Sequence, residues 1–173
     1  MRHLVARFFR SLRPSTPTAA DDAWAATFLT PSEQALYLAM PPVDRRHAID
    51  GARSVARSVA EPARNDAVEA ALVHDVGKRH AHLGVLGRSV ATAIGWVVPS
   101  ETRRASLAGS SGWRGRVGRY LRHDVVGADE VAAAGGSDLA VAWTAYHHRP
   151  DRFASLCPAP GVVAALVSAD DGM

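Results

Sequence analysis

The chain has 173 residues, 47% of them apolar, and carries 20 Lys and Arg against 17 Asp and Glu. This length and composition fit one domain with a hydrophobic core, and they exclude a chain that is disordered throughout. A single cysteine, Cys157, excludes a disulfide framework, and no apolar run reaches the roughly 18 residues of a membrane span.

Residues 1–13 are predicted to form a basic amphipathic helix. Its apolar core is too short for a secretory signal and lacks a small-residue cleavage site. We favour a self-packing or frayed helix, and peripheral contact with an anionic membrane is the alternative. Residues 14–22 are predicted to be a linker, which leaves a folded domain over 23–173. We expect a cytoplasmic location. No nucleic-acid partner is expected, because the net charge is only +3 and no dense basic stretch goes with it.

The next part of the chain is predicted to form three helices. Thr30-Pro31-Ser32-Glu33 is a capping box with proline in the first turn, and it begins a helix that Pro41-Pro42 stops. A second helix is predicted from Asp44 to Ala60. A third is predicted from Asn65 to Gly77, because glycine suits the left-handed position that follows a helix.

The second half of the chain also carries helical patterns and almost no strand signal. Residues 85–98 form a mostly apolar segment, and a stretch rich in Gly, Ser and Arg follows through Gly118. Further helices are predicted at 124–134, 138–148 and 160–170. No alternation of apolar and polar residues is sustained. The predicted fold class is therefore all-α, in one domain.

Several histidines and carboxylates are predicted to lie on different helices, mostly at their ends. These residues are His47, His74-Asp75, His123, His147-His148 and Asp170. Helical bundles build buried metal sites from side chains delivered in this way. Imidazole and carboxylate without thiolate favour Fe, Mn, Co, Ni or Zn over a structural zinc cage. A lone helical histidine is more often a core or surface residue, so the spacing alone does not establish a site.

The ordered set resembles the HD-domain metal-dependent phosphohydrolase superfamily, whose pattern of His, His-Asp and a distant Asp matches His47, His74-Asp75 and Asp170. The match is closer to the HD-GYP branch. The further matching elements are the segment His74-Asp75-Val76-Gly77-Lys78, His123 followed by Gly127-Ala128, the pair His147-His148, and Ala169-Asp170. The resemblance covers residues 43–173. It implies an HD-domain-like helical bundle with a metal site in its core.

Two features depart from that branch. The histidine pair is followed by Arg149-Pro150-Asp151-Arg152 instead of Glu and the Asp-Gly-x-Gly-Tyr-Pro tail, so hydrolysis of cyclic-di-GMP is expected to be slow or absent. The interval between Asp75 and His123 is also longer than in the branch. We interpret residues 85–118 as an inserted helical hairpin or lid, and a contact with a partner or a membrane is the alternative.

The resemblance also implies roles for individual residues. Asp75 would bridge two divalent ions, with Fe or Mn favoured and Zn, Co or Ni as options. The first ion would be held by His47, His74 and Asp170, and the second by His123, His147 and His148. Such ions lower the pKa of a bridging water and neutralise phosphate oxygens. Lys78, the only lysine, is expected to contact the phosphate, which makes Asp75 and Lys78 the predicted catalytic residues.

Two functions follow from this resemblance. The first is a metal-dependent phosphohydrolase that acts on a small phosphorylated substrate, either a phosphodiester or a nucleotide. The second is a degenerate HD module that binds metal or nucleotide as a signalling scaffold without turnover. The complete ligand set favours the first function, and the missing Gly-Tyr-Pro tail favours the second or another substrate. Arg149 and Arg152 could bind a second phosphate, and a solvated loop is an equal alternative. The sequence leaves the oligomeric state open.

Overall fold

A computed structural model describes residues 16–98, 100–157 and 159–171. The predicted N-terminal amphipathic helix over 1–13 lies outside these residues. The described chain is all-α, as predicted, and contains no strand. Its elements are, in order, α1 (Ala19–Ala26), α2 (Pro31–Leu38), α3 (Pro42–Ser58), α4 (Arg64–Val73), a 3-10 helix (Val76–Ala81), α5 (Val85–Val97), α6 (Glu101–Ala108), α7 (Gly112–Leu121), α8 (His123–Ala133), α9 (Asp138–Tyr146), α10 (Pro150–Leu156) and α11 (Pro160–Asp171). Among these residues, no helix combines the length and apolarity needed to cross a bilayer.

The predicted linker over 14–22 is wrong from residue 19 onward, where helix α1 begins. Thr18 and Asp21 form a capping box, in which the Thr18 hydroxyl accepts from the Asp21 amide and the Asp21 carboxylate accepts from the Thr18 amide. These bonds satisfy donors that would otherwise be unpaired at the start of the helix. The capping box predicted at Thr30 and Glu33 is present in the same form.

Helices α3 and α4 pack together at the centre of the fold, and α9 and α11 pack against them. The largest fully buried side chains include Trp143, Phe153, Ile49, Leu72 and Leu166, and all five lie in one core cluster that these helices share with α10. Helix α4 is buried over most of its circumference, because seven of its ten residues are buried. A helix that is apolar all around belongs in the core. The residues that follow it, His74 and Asp75, are therefore also delivered into the interior.

Gly77 does not end a helix in the left-handed conformation, as the sequence predicted. Helix α4 ends at Val73, and Gly77 lies in the 3-10 helix, where it contacts α8. A Cβ on Gly77 would lie 2.1 Å from the carbonyl oxygen of His123 and 3.0 Å from the Gly127 nitrogen. This glycine is required because two backbones touch, and the contact brings His123 next to the His74-Asp75 segment.

The segment predicted as an insertion forms three helices, α5, α6 and α7. The Gly-, Ser- and Arg-rich stretch forms α6 and α7, which pack together with their backbones in close contact. A Cβ on Gly115 would lie 1.9 Å from the Ser110 oxygen, and one on Gly118 would lie 2.1 Å from the Ala108 nitrogen. Gly115 and Gly118 therefore allow the backbones of α6 and α7 to approach closely. A small separate core of Ala81, Leu83, Ala91 and Val117 joins the 3-10 helix, α5 and α7.

Glu33 and Glu69 form a buried pair of carboxyl groups where α2 packs against α4. Glu33 is 1% exposed, and its Oε1 atom has no hydrogen-bond partner among the described residues if Glu69 is ionised. Glu69 accepts from the Ser137 amide at 2.8 Å. Burial and the contact with Glu33 raise the pKa of Glu69 to about 7. A proton on Glu69 supplies the missing donor for Glu33.

We expect this pair to make stability depend on pH. The pKa of Glu69 is raised from 4.5 to about 7 in the folded state, so its contribution is complete below pH 4.5 and is lost as the pH rises through 7. Glu69→Gln keeps a donor to Glu33 at every pH. Relative to the parent, the variant should gain on the order of 1–3 kcal/mol between pH 5 and pH 8. Urea unfolding at both pH values measures this difference.

The matched control is Glu61→Gln, which removes an exposed glutamate that pairs only with Arg64 at the surface. Its effect should be small and nearly the same at the two pH values. Equal pH dependence in the parent and in Glu69→Gln would show that Glu69 is ionised throughout this range.

Candidate metal centre

The structure brings together all seven residues that the resemblance assigns to metal binding. They come from five parts of the chain: α3, the turn after α4, the start of α8, the end of α9 and the end of α11. Sequence separations reach 123 residues, between His47 and Asp170. Two groups of three residues form, and in each group the candidate ligand atoms lie within 4.8 Å of one another.

The first group consists of His47, His74 and Asp170. The Nε2 atoms of His47 and His74 lie 3.3 Å and 3.5 Å from Oδ1 of Asp170. Ligand atoms bound about 2.0–2.2 Å from one ion lie about 3.0–3.5 Å from each other. The observed spacing therefore suits a shared cation with little movement of the side chains.

The second group consists of His123, His147 and His148. The Nε2 atoms of His148 and His123 lie 3.2 Å apart, and the rings of His147 and His148 lie 3.9 Å apart between centroids. Three imidazole rings that face one another offer only nitrogen atoms as metal ligands. Such a group of ring nitrogens could hold a metal ion.

Asp75 lies between the two groups, with one carboxylate oxygen toward each. Its Oδ2 atom is 3.4 Å from Nε2 of His74, and its Oδ1 atom is 3.6 Å from His123 and 3.7 Å from His147. The residue is 1% exposed, and Oδ1 has no hydrogen-bond partner among the described residues. The Nε2 atoms of His74 and His147 are likewise buried without such a partner. Buried polar atoms in proteins are rarely left in this state.

Three of the imidazoles are oriented by backbone carbonyls three residues earlier. Nδ1 of His74, His123 and His147 lies 3.0, 2.6 and 3.0 Å from the oxygens of Ala71, Tyr120 and Thr144. A carbonyl only accepts, so Nδ1 carries a proton, and in the neutral ring Nε2 presents its lone pair. These carbonyls belong to the last turns of α4, α7 and α9, where helix carbonyls lack the full set of intrahelical partners. The helix ends therefore set both the tautomer and the direction of the rings.

The charges of the site favour the protonation states that metal binding needs. Burial and the nearby Lys78 ammonium lower the pKa of His123 to about 3. Burial, together with the neighbouring imidazoles, holds the pKa of His147 well below its usual value. Burial alone would raise the pKa of Asp75, but the positive charges of His74 and Lys78 outweigh it and hold it well below normal. Neutral imidazoles and an ionised carboxylate are the forms that coordinate cations.

His74 is different, because it lies beside two carboxylates. Burial opposes its charged form, yet Asp75 and Asp170 outweigh burial and raise the pKa of His74. The pKa of Asp170 is held well below normal, because the imidazoles of His47 and His74 outweigh its burial. A proton on His74 thus balances the acids in the metal-free protein, and a cation would displace it.

Lys78 lies directly beside Asp75. Its Nζ atom is 2.6 Å from Oδ2 of Asp75, and its side chain is 13% exposed. Burial would lower the pKa of this ammonium, but the Asp75 carboxylate raises it, so Lys78 keeps its charge. The site opens to solvent at its two ends, where His47 is 31% exposed and His148 is exposed.

Other candidates lie away from the ligand groups. The guanidinium groups of Arg149 and Arg152 both lie over the ring of Tyr146, at 5.0 and 5.2 Å from its centroid. Arg149 also lies 3.8 Å from Asp124. His80 is 2.8 Å from Glu130, which is also bound by Arg79.

Trp143, which the sequence did not indicate as a site residue, forms one wall of the site. Trp143 is buried and its ring lies 6.5 Å from that of His74 and 6.0 Å from that of His147. Its position four residues before His147 places both on one helical face, which is the signal that could have indicated it. An apolar wall of this kind lowers the local dielectric and strengthens the charges inside the site.

No family model, curated protein or solved structure matches this chain. The resemblance to the HD-domain superfamily thus stays a prediction that depends on the residues and on their arrangement.

Proposed function

We propose that the protein is a metal-dependent phosphohydrolase of the HD-domain type, with two divalent cations held on either side of Asp75. One observation supports the proposal most directly. A buried carboxylate has an unpartnered oxygen facing two imidazole nitrogens, and its other oxygen faces a second group of donors.

The residues present fit divalent cations well. Both groups offer imidazole nitrogen, the first group adds a carboxylate, and the only cysteine, Cys157, belongs to neither. Such donors suit Fe or Mn, with Zn, Co or Ni as further options. His47, His74 and Asp170 would hold one cation, His123, His147 and His148 the other, and Asp75 would contact both.

When bound, divalent cations of this kind supply Lewis acidity for a phosphoryl oxygen and a water of lowered pKa. The protein's own residues contribute position and charge. The carbonyls behind His74, His123 and His147 fix the direction of the ring nitrogens, and the Lys78 ammonium adds a positive charge at the edge of the site. That charge would stabilise a phosphate oxygen of the substrate.

Metal analysis of the purified protein tests the proposal. Anaerobic purification followed by elemental analysis should give about two transition-metal ions per chain. The loaded protein should then hydrolyse a generic aryl phosphodiester, and a chelator should abolish the reaction. If no metal binds under any condition of purification, the proposal is wrong.

The substrate gives a separate prediction. The residues after the histidine pair are Arg149 and Pro150, not the glutamate and Gly-Tyr-Pro tail of the resembled branch. We expect hydrolysis of cyclic-di-GMP to be slow or absent, while the aryl phosphodiester is cleaved, because the metal site supplies the chemistry common to both. A screen of phosphomonoesters, nucleotides, phosphodiesters and cyclic dinucleotides measures the preference. Turnover of cyclic-di-GMP at a rate near that of the best substrate would contradict it.

The alternative function is that of a signalling scaffold that binds metal or nucleotide without turnover. The loss of the branch's glutamate and tail after the histidine pair is the feature that favours it. Two bound ions with no hydrolysis of any substrate in the screen would assign this function.

A further inference from the structure

Helix α5 differs from an ordinary surface helix, because large apolar side chains lie on its exposed face as well as on its buried one. Its 13 residues contain one charged side chain, Arg88, and this side chain points inward. Four large apolar side chains point outward instead: Leu86, Val90, Trp96 and Val97. Leu86, Val90 and Val97 follow helical spacing along one face, and Trp96 lies beside them. We refer to these four residues as the α5 surface.

The orientation of α5 is held at both ends by arginines. The Arg88 guanidinium binds both carboxylate oxygens of Asp44, on α3, and its Nε donates to the Leu83 oxygen at 3.0 Å. At the other end, Arg104 donates to the oxygens of Val98 and Gly95, at 2.8 and 3.2 Å. A planar guanidinium with several bonds fixes geometry well. These hydrogen bonds therefore fix the orientation of α5, with its exposed apolar face directed outward.

Exposed apolar side chains are concentrated in this part of the protein. Of the seven large apolar side chains that are exposed among the described residues, the four of the α5 surface and Trp113 lie on α5 and α7. Trp96 and Val97 are 72% and 73% exposed. Single exposed apolar residues need no explanation, but a contiguous set indicates an interaction surface.

The charge around the α5 surface indicates what covers it. Residues 85–122 contain seven arginines and one acidic residue, Glu101, which pairs with Arg122. Arg103, Arg114 and Arg116 are exposed. An apolar helix face with tryptophan, in a strongly basic segment, matches an anionic lipid bilayer, where the apolar face enters the acyl boundary and arginines meet headgroups. A second copy of this chain would bring two strongly basic segments together, which disfavours that occupant.

We propose that the α5 surface docks the protein on anionic membranes, with α5 lying in the plane of the lipid interface. The inward pairing of Arg88 leaves no charge on α5 itself to oppose insertion. The exposed arginines of α6 and α7 supply the attraction to anionic headgroups. This proposal does not depend on the phosphohydrolase activity.

Co-sedimentation of the full-length protein with lipid vesicles tests the proposal. The parent should bind mixed phosphatidylcholine–phosphatidylglycerol vesicles, and bind phosphatidylcholine vesicles much less. Added salt should weaken the binding, because the attraction to headgroups is screened. The double variant Trp96→Ser, Val97→Ser should lose affinity by roughly tenfold or more, because two apolar side chains no longer enter the lipid. Replacing Arg114 and Arg116 with serine should weaken binding roughly fivefold per arginine.

Leu156→Ser is the matched control. Leu156 is 56% exposed on α10, outside the proposed surface, so this variant should bind vesicles as the parent does. Circular dichroism should show the same helical content in the parent and in all variants, since every replaced side chain is exposed.

Three results would overturn the proposal. The first is equal binding of the parent to neutral and to anionic vesicles, or no binding to either. The second is unchanged binding by the Trp96 and Val97 double variant, which would place the contact elsewhere, such as residues 1–13. The third is self-association in the absence of lipid that this double variant abolishes, which would assign the α5 surface to a second copy of the chain.

Discussion

Asp75→Asn is expected to remove metal from both ligand groups and to reduce phosphodiester hydrolysis by several orders of magnitude. The two oxygens of the Asp75 carboxylate face both groups. Asparagine keeps the shape but loses the negative charge, and two nearby cations repel each other strongly without an anion between them. Elemental analysis and the rate on an aryl phosphodiester measure the two effects in the same preparation.

His123→Ala and Lys78→Ala are the comparisons that make this result specific. His123 belongs to one group only, so its loss should leave about one ion per chain. Lys78→Ala removes no candidate ligand, so metal content should stay near the parent's while the rate falls. If Asp75→Asn keeps both ions and most of the rate, Asp75 is not the bridge.

Asp75→Asn also affects folding, and this effect has to be separated from metal loss. Lys78 is nearly buried and its ammonium binds Asp75, so the variant leaves a charge without its anionic partner. Removing one partner of such a pair costs about 3–5 kcal/mol. The double variant Asp75→Asn, Lys78→Met removes both charges and should recover most of this stability. It should still bind no metal, and two bound ions in the folded double variant would contradict the proposed site.

Gly77→Ala is expected to destabilise the protein by about 3 kcal/mol or more, because the added methyl group meets backbone atoms. The Cβ would lie 2.1 Å from the His123 carbonyl oxygen, and neither atom can rotate away. The 3-10 helix and α8 must then separate. This movement carries His123 away from Asp75, so the affinity of the second ligand group for metal should also fall. Urea unfolding of the metal-free protein and metal titration of the folded variant measure the two effects.

Gly161→Ala is the control for Gly77→Ala. A Cβ on Gly161 meets nothing within 4 Å, and this residue lies in the first turn of α11. We expect this variant to be neutral or more stable by up to about 1 kcal/mol. Equal stability of Gly77→Ala and Gly161→Ala would show that the 3-10 helix and α8 leave room for a methyl group at residue 77.

The local signals in the sequence predicted most of the helices correctly. Thr30 caps α2 as expected, Ser137 caps α9, and their side chains accept from the amides of Glu33 and Ala140. Such caps involve residues three positions apart, so a single sequence contains the whole interaction. The missed capping box at Thr18 is of the same kind and could have been found.

Glycine positions were harder to interpret, because their reason lies in distant contacts. Gly77 was expected to end a helix, and Gly115 and Gly118 fell in the segment expected to be a helical hairpin or lid. All three lie where two backbones touch, with neighbours that range from five to about fifty residues away in sequence. A sequence shows that a residue has no side chain but does not show which backbone approaches it.

The residue types of the candidate site, and their order, were already apparent in the sequence through the resemblance. Their division into two groups around Asp75, and the carbonyls that orient His74, His123 and His147, depend on how α3, α4, α8, α9 and α11 pack. The inward turn of Arg88, which leaves an apolar face on α5, also depends on its distant partner Asp44. Helix formation is governed by residues within four positions, whereas distances between helices are set by the packing of side chains across the whole core.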